Sequence, residues 1–533
     1  MRSFSRAVPG VVLALAAAVA CGGGGGAAGG GEDVAPSDGG ASSSSSSSSG
    51  SSGADGAIAP APPSTLAITA TAKLALRLGE TGKLDVTVAR ERASGAVRVV
   101  AKGLPADATV AALDLAPGVS TGTLDVVTLA NGVGGAKAIE LVATTKGDDG
   151  KDLEAKAPVA LTLSGLPGAL DKGFGAGTGI VSAVTSRVLD VAVQADGKIV
   201  ALGDSWIARF LPDGTPDTAF GDQGKRTLPG SGNSVALQAD DKAVVAGRVF
   251  ETGYPIFAAR YDALGTLDAT FGTAGVKKTE LGGNDSASDV TLDASGRALV
   301  GGFTGGVNGG IQVVRYTTGG QPDGTWGSSG IATIGGGGTA VRSITVLPDG
   351  KVLVSGTSGL FGAQRSVALV RLTSGGGLDG TFTAEYRRGF GNALAVRPDG
   401  KALVVGPTDG SPSDLQLLRF TTEGQLDTTF GSGGAVVEDH GNTSDAMSGI
   451  ALQADGKILV VGRSGVVPGG GGNVQDACAI VRFLEGGGRD TTFGTNGRVD
   501  LPGASGALFE AVVIQPDGKI LAAGSAGLVR FWP

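Results

Sequence analysis

The sequence predicts an all-β fold, and three observations carry that prediction. Gly supplies 97 and Pro 22 of the 533 residues, and both are poor in helix interiors. Apolar residues alternate with period two in short runs such as KLDVTVA and AVRVVA, set off by Gly, Pro, Asn and Asp. Beyond residue 170 a three-part unit recurs seven times, the signature of a repeat architecture.

One unit reads VAVQADGKIVALG, then IARFLPDG, then TPDTAFGDQG. Its first element turns at Asp196, Asp240, Ser295, Asp349, Asp399, Asp455 and Asp517, at a mean spacing near 53. Its second ends in Arg209, Arg260, Arg315, Arg371, Arg419, Arg482 and Arg530, and its third carries Asp171, Asp217, Asp268, Asp323, Asp379, Asp427 and Asp490. Each unit reads as a strand, an Asp-Gly turn in which both residues tolerate positive φ, a second strand, a loop, a strand ending in Arg-Phe, a Gly turn and a fourth strand. Four antiparallel strands at this period make one blade of a β-propeller. The repeat region opens on a lone fourth-strand element, LDKGFG, and ends just after a third strand, GLVRFWP. The two orphans complement each other, so the N-terminal strand is expected to close the last blade of a seven-bladed ring and remove its open edges.

These spaced motifs resemble the delta-60 repeat β-propellers of bacterial envelope and secreted proteins over residues 170–533. The resemblance implies fold and setting, not an activity. Two departures are local: DASGR (Asp293 to Arg297) replaces one Asp-Gly-Lys turn, and LDGTFT ends in Thr383 where other units have Gly.

Residues 65–165 alternate with turns every eight to twelve residues, which predicts a small antiparallel β-sandwich. The stretch GLPADATVAALDLAPGVSTGTLDVV resembles bacterial immunoglobulin-like modules, but this segment has no Cys, Trp, Tyr or Phe, so its core must be aliphatic. Residues 22–64 are almost wholly Gly, Ser, Ala, Pro and Asp, too polar to offset ordering entropy, and read as a tether with a root-mean-square reach of roughly 35 Å. Residues 1–21 carry Arg2 and Arg6, then an apolar run too short to span a bilayer, then Cys21. That ending resembles the lipobox of bacterial lipoproteins, which implies lipidation of Cys21, a membrane contact through that lipid and, with Gly22 following, the outer membrane. Ala18-Val19-Ala20 also fits ordinary signal cleavage and secretion. Cys478, in ACAIVRF, reads as a buried thiol with no disulfide.

A net charge of −8 without a basic stripe excludes a phosphate-tracking nucleic-acid protein. One histidine, His440, excludes a histidine pair or a His-rich metal site. No nucleotide-binding loop, nucleophile elbow or paired-cysteine motif is present, and no cofactor is expected. The chain is therefore expected to be a monomeric binding protein rather than an enzyme. A carboxylate-dependent hydrolase or lyase using Glu438 or Asp439, and a purely architectural protein, are the alternatives. The repeated Arg and Asp are expected to pair structurally; a ring of anion-binding arginines is the rival. Binding is sought where the repeats disagree, in the second-to-third and fourth-to-first connections. These place Trp206, Tyr254, Phe361, Arg365, Tyr386, Arg387, Arg388, His440 and Arg463 on one face, suited to an envelope protein or polysaccharide.

Overall fold

The computed structural model describes residues 61–182, 187–304, 310–336, 340–359, 364–384, 387–440, 444–466, 475–502 and 507–533. Cys21, Phe361, Tyr386 and Asn442 lie outside them. Among the described residues every regular element is a strand.

Residues 65–164 form two sheets around one aliphatic cluster that includes Leu84, Val86, Val99, Leu141 and Leu161. The alternation read from sequence is visible in Thr81–Glu91, where Leu84, Val86 and Val88 point inward and Lys83, Asp85 and Thr87 outward. One pairing differs from the all-antiparallel expectation: Lys73–Arg77 runs parallel to Asp152–Ser164. The chain leaves one sheet after Ala70 and joins the other at Lys73, a crossover that no hairpin constrains to be antiparallel.

From residue 180 onward the strands fall into small antiparallel sheets, numbered here in chain order. Sheet 1 comprises Asp190–Val193, Ile199–Leu202, Trp206–Phe210 and Lys225–Thr227. Sheets 2 and 3 repeat that order over residues 231–279 and 286–336. Sheet 4 pairs Ala340–Val346, Val352–Ser358 and Ser366–Leu372, three strands among the described residues. Sheets 5 and 6 occupy residues 393–438 and 446–502. Sheet 7 contains Phe509–Ile514, Ile520–Gly524 and Gly527–Phe531, and its fourth strand is Ile180–Val181, which pairs with Val529 and Leu528. The first strand of each sheet touches the first strand of the next, and that of sheet 7 touches that of sheet 1. Apolar clusters fill each contact between neighbouring sheets, as where Leu353 and Leu369 of sheet 4 meet Leu394, Val404 and Phe420 of sheet 5.

The turn chemistry departs from the sequence reading in one respect. In ADGK only the glycine has positive φ, 84° at Gly197, while the Asp196 carboxylate accepts the Lys198 amide at 3.0 Å. In sheet 2 Asp241 takes the glycine's place at φ 63°.

All seven repeated arginines are paired with their repeated aspartates, Nε to Oδ2, at 2.7 to 3.0 Å. Each guanidinium also lies 4.5 to 5.4 Å from the centre of the aromatic ring in the third element. Several reach onward to a turn carbonyl in the following sheet, as Arg260 does to Thr318 and Arg419 to Glu485. The turn lysine adds a second cation, with Lys401 Nζ 2.8 Å from Asp427 Oδ2 and Lys519 Nζ 3.0 Å from Asp171 Oδ2. Burial alone would raise the Asp427 carboxyl, but Lys401, Thr429 and Arg419 hold it well below the usual carboxylate range. The arginines are thus internal staples between neighbours rather than a ring open to anions. Cys478 is buried with its Sγ 3.4 Å from Ser525 Oγ.

Candidate binding face

The second-to-third and fourth-to-first connections gather three groups of functional side chains. In sheet 2 the connection between Ala243–Arg248 and Ile256–Tyr261 raises two aromatics into solvent, Phe250 at 65% and Tyr254 at 42% exposure. Their rings meet edge to face, 6.5 Å between centroids at 89°, and Arg248 stacks 5.2 Å from the Phe250 centre. Tyr254 sits at φ 47°, and its backbone amide donates to Glu251 O at 2.9 Å. Glu251 pairs with Lys278, and these two line a shallow groove with Pro255, Glu280 and Pro322.

The second group joins sheets 4 and 5. The Arg365 amide donates to Asp409 Oδ2 at 3.0 Å, Arg365 Nη1 lies 3.9 Å from Asp409 Oδ1, and Arg388 Nη2 lies 4.0 Å from Asp409 Oδ2. Two half-exposed guanidiniums therefore share one carboxylate, which leaves local positive charge facing water. Arg365 also stacks on Phe390 at 5.3 Å. Arg387 beside them is half-buried and its carbonyl accepts the Val367 amide.

The third group surrounds the histidine. His440 is 8% exposed, and its ring is enclosed by residues from two sheets. Nε2 lies 3.3 Å from Glu438 Oε2 and 3.0 Å from Arg489 Nη2, and Nδ1 lies 3.3 Å from Asp445 Oδ2. Asp445 Oδ2 also accepts the His440 backbone amide at 3.1 Å. Burial would push the imidazole pKa down, but Asp445 and Glu438 outweigh it and the pKa is raised. Glu438 moves the other way: burial would raise it, and His440 and Arg489 lower it. Asp439, by contrast, points outward and is exposed.

Two further expectations are corrected. Trp206 is not a loop aromatic: it begins the third strand of sheet 1, is 4% exposed, and packs where Gly203 leaves room, since a Cβ there would stand 2.2 Å from the ring. Arg463 sits inside Ile458–Val466, opposite Ala446 and Cys478, rather than in a loop. Tyr254, Arg365 and Arg388 are where the sequence reading put them. It missed Arg248 and Asp409, which carry no repeat signal, and Arg489, which does: the residue before the repeated aspartate is Leu or Pro in the other six units and Arg only here.

A family model described as a domain of unknown function (DUF5122) beta-propeller matches residues 194–220, 347–382, 397–430, 453–493 and 515–533. This supports a propeller repeat family, on an all-β chain. No curated protein matches. Among solved structures, the chain is similar to a polysaccharide lyase of family PL25, an ulvan lyase, at 10% identity, covering 74% of this chain and 89% of that one with a TM-score of 0.27. The same lyase bound to -[GlcA(1-4)Rha3S]- matches at 10% identity over 75% and 91%, again at 0.27. A tetra-tandem repeat from the extending region of a large adhesion protein matches at 13% identity over 88% and 98%, at 0.16. Against these lyase matches the expectation that the chain is not an enzyme is dropped. TM-scores this low transfer neither an activity nor a substrate.

Proposed function

We propose that the chain is a cell-envelope lipoprotein, anchored through Cys21 and a tether over residues 22–64, whose seven sheets form a closed propeller that binds polysaccharide or protein on its irregular-loop side. Residues 65–165 serve as a sandwich spacer. Closure is supported by the pairing of Ile180–Val181 with the last strand and by the Arg530–Asp171 ion pair. The single observation that carries the binding reading is the exposed Phe250–Tyr254 pair beside Arg248. Rigid aromatic faces next to a cation give stacking area at low entropic cost, the surface that sugar rings and protein hot spots engage. The test is a glycan array and envelope pull-down with wild type and a Phe250→Ala/Tyr254→Ala double variant. Binding should fall at least about tenfold in the variant; equal binding by both proteins would rule this face out.

A second reading is catalytic and rests on the enclosed set of His440, Glu438, Asp445 and Arg489, the one place where an imidazole meets carboxylates and a guanidinium. It requires turnover of an acidic or neutral polysaccharide that is lost in His440→Ala and in Glu438→Gln while both variants still melt cooperatively.

A further inference from the structure

The contact between sheets 4 and 5 contains polar groups that nothing in the fold answers. Arg342 is the extra residue of a β-bulge between Val341 and Ser343 on the first strand of sheet 4. It is 8% exposed, and its Nε has no hydrogen-bond partner. At the equivalent bulge in sheet 2, Asn233 donates to Ala287 O of the next sheet, and in sheet 7 Glu510 is paired with Arg187. Burial pushes the Arg342 guanidinium below its ordinary value and no carboxylate offsets it.

Three hydroxyls stand on the same two strands, Ala340–Val346 and Val352–Ser358. Ser343, Ser355 and Thr357 are 1%, 0% and 0% exposed, and the Oγ atom of each lacks a partner. Ser343 pairs with Ser355 across the strands, Ser355 with Leu369, and Thr357 with Val367. Leu369 and Val367 pack on sheet 5, so all three hydroxyls face that sheet. The positions matching Ser355 in the other sheets are Leu202, Ala246, Gly301, Val405, Val461 and Ala523, apolar or glycine throughout. Gln416 on the facing side of sheet 5 also has an unpartnered Oε1. The segment from Arg388 to Asn392 crosses this contact, with the Gly391 amide on Gly356 O of sheet 4 and the Asn392 amide on Val405 O of sheet 5.

Buried donors without partners cost free energy, and in native proteins such a concentration marks a bound species. Water satisfies the hydroxyls, but a buried guanidinium with no carboxylate beside it calls for an anion. We propose that the contact between sheets 4 and 5 is a binding site for a small oxyanion group, a carboxylate, sulfate or phosphate, held by Arg342 with Ser343, Ser355 and Thr357 as hydroxyl donors. The site is separate from the exposed aromatics and does not depend on the binding reading given for them.

The test is thermal melting of the full protein in chloride against sodium sulfate, phosphate and acetate at matched ionic strength. Wild type should show a saturable rise in melting temperature with at least one oxyanion, and the anion that saturates lowest identifies the group. Arg342→Met should melt higher than wild type in chloride and lose the oxyanion response. A Ser343→Ala/Ser355→Ala variant, which keeps the cation, should need roughly tenfold more anion for half-saturation, the loss of about 1.4 kcal/mol of donor contacts. No oxyanion response in wild type overturns the proposal, as does a response that survives in Arg342→Met or is unshifted in the serine variant.

Discussion

A guanidinium that is stacked on a ring, bonded to a carboxylate and reaching a carbonyl of the next sheet is fully committed, and this is the state of Arg419. Both Arg419 and Asp427 are buried, so Arg419→Gln leaves Asp427 to Lys401 and Thr429 and removes one charged hydrogen bond beside Phe430, which should cost about 2 kcal/mol in a denaturant titration. His440 offers a cleaner measurement, because it is the only histidine. Its ring resonance should titrate above the ordinary value of about 6.5, and Asp445→Asn should lower that midpoint. Since the folded pKa is raised, the stabilisation is complete below about 6.5 and fades as pH rises through the folded value. The Arg and Asp partnership could be read from sequence because its spacing is eight residues in all six continuous units. Burial of His440 could not, because Arg489 arrives from the next sheet. Trp206 was misplaced because GDSW reads as a turn, and only the pairing of Trp206 with Thr227 shows that the strand has already begun.

At the scale of the element, the glycine after the repeated aromatic recurs in every unit but one. Gly175, Gly221, Gly272, Gly327, Gly431 and Gly494 all adopt φ between 53° and 61°, a region closed to most side chains. In sheet 4 the position is Thr383, and there the described residues show no fourth strand. The sequence flagged this departure, and among the described residues an isolated bridge of Arg388 with Ser366 stands where the other sheets have a fourth strand. At Gly494 an added Cβ would meet Arg498 O at 2.3 Å, whereas at Gly486 nothing stands within 4 Å. Gly494→Ala should therefore destabilise by more than about 1 kcal/mol while Gly486→Ala is close to neutral, as compared by chemical denaturation.

For the whole molecule, the decisive contacts are those between residues far apart in the chain. Asp171 is fully buried and receives both Arg530 and Lys519. Asp171→Asn should lower the melting temperature and accelerate amide exchange first in Ile180–Val181 and Gly527–Phe531, with sheets 2 and 3 protected longest. The complementary orphan elements made this junction legible in the sequence. The contact of the first region with it was not, because Trp532 lies against Gly165, where a Cβ would stand 2.1 Å from the indole.

That arrangement has a mechanical meaning. Gly168 and Ala169 exchange backbone hydrogen bonds with Trp532, and the short strand at residues 180–181 follows directly. Any tension drawn through residues 65–164 is thus delivered to the junction where the first and last segments of the repeat region are fastened by hydrogen bonds instead of by continuous chain. The junction acts as a clasp in series with the pull, and in a stretching experiment it should be the first part of the repeat region to rupture, before any sheet is unravelled.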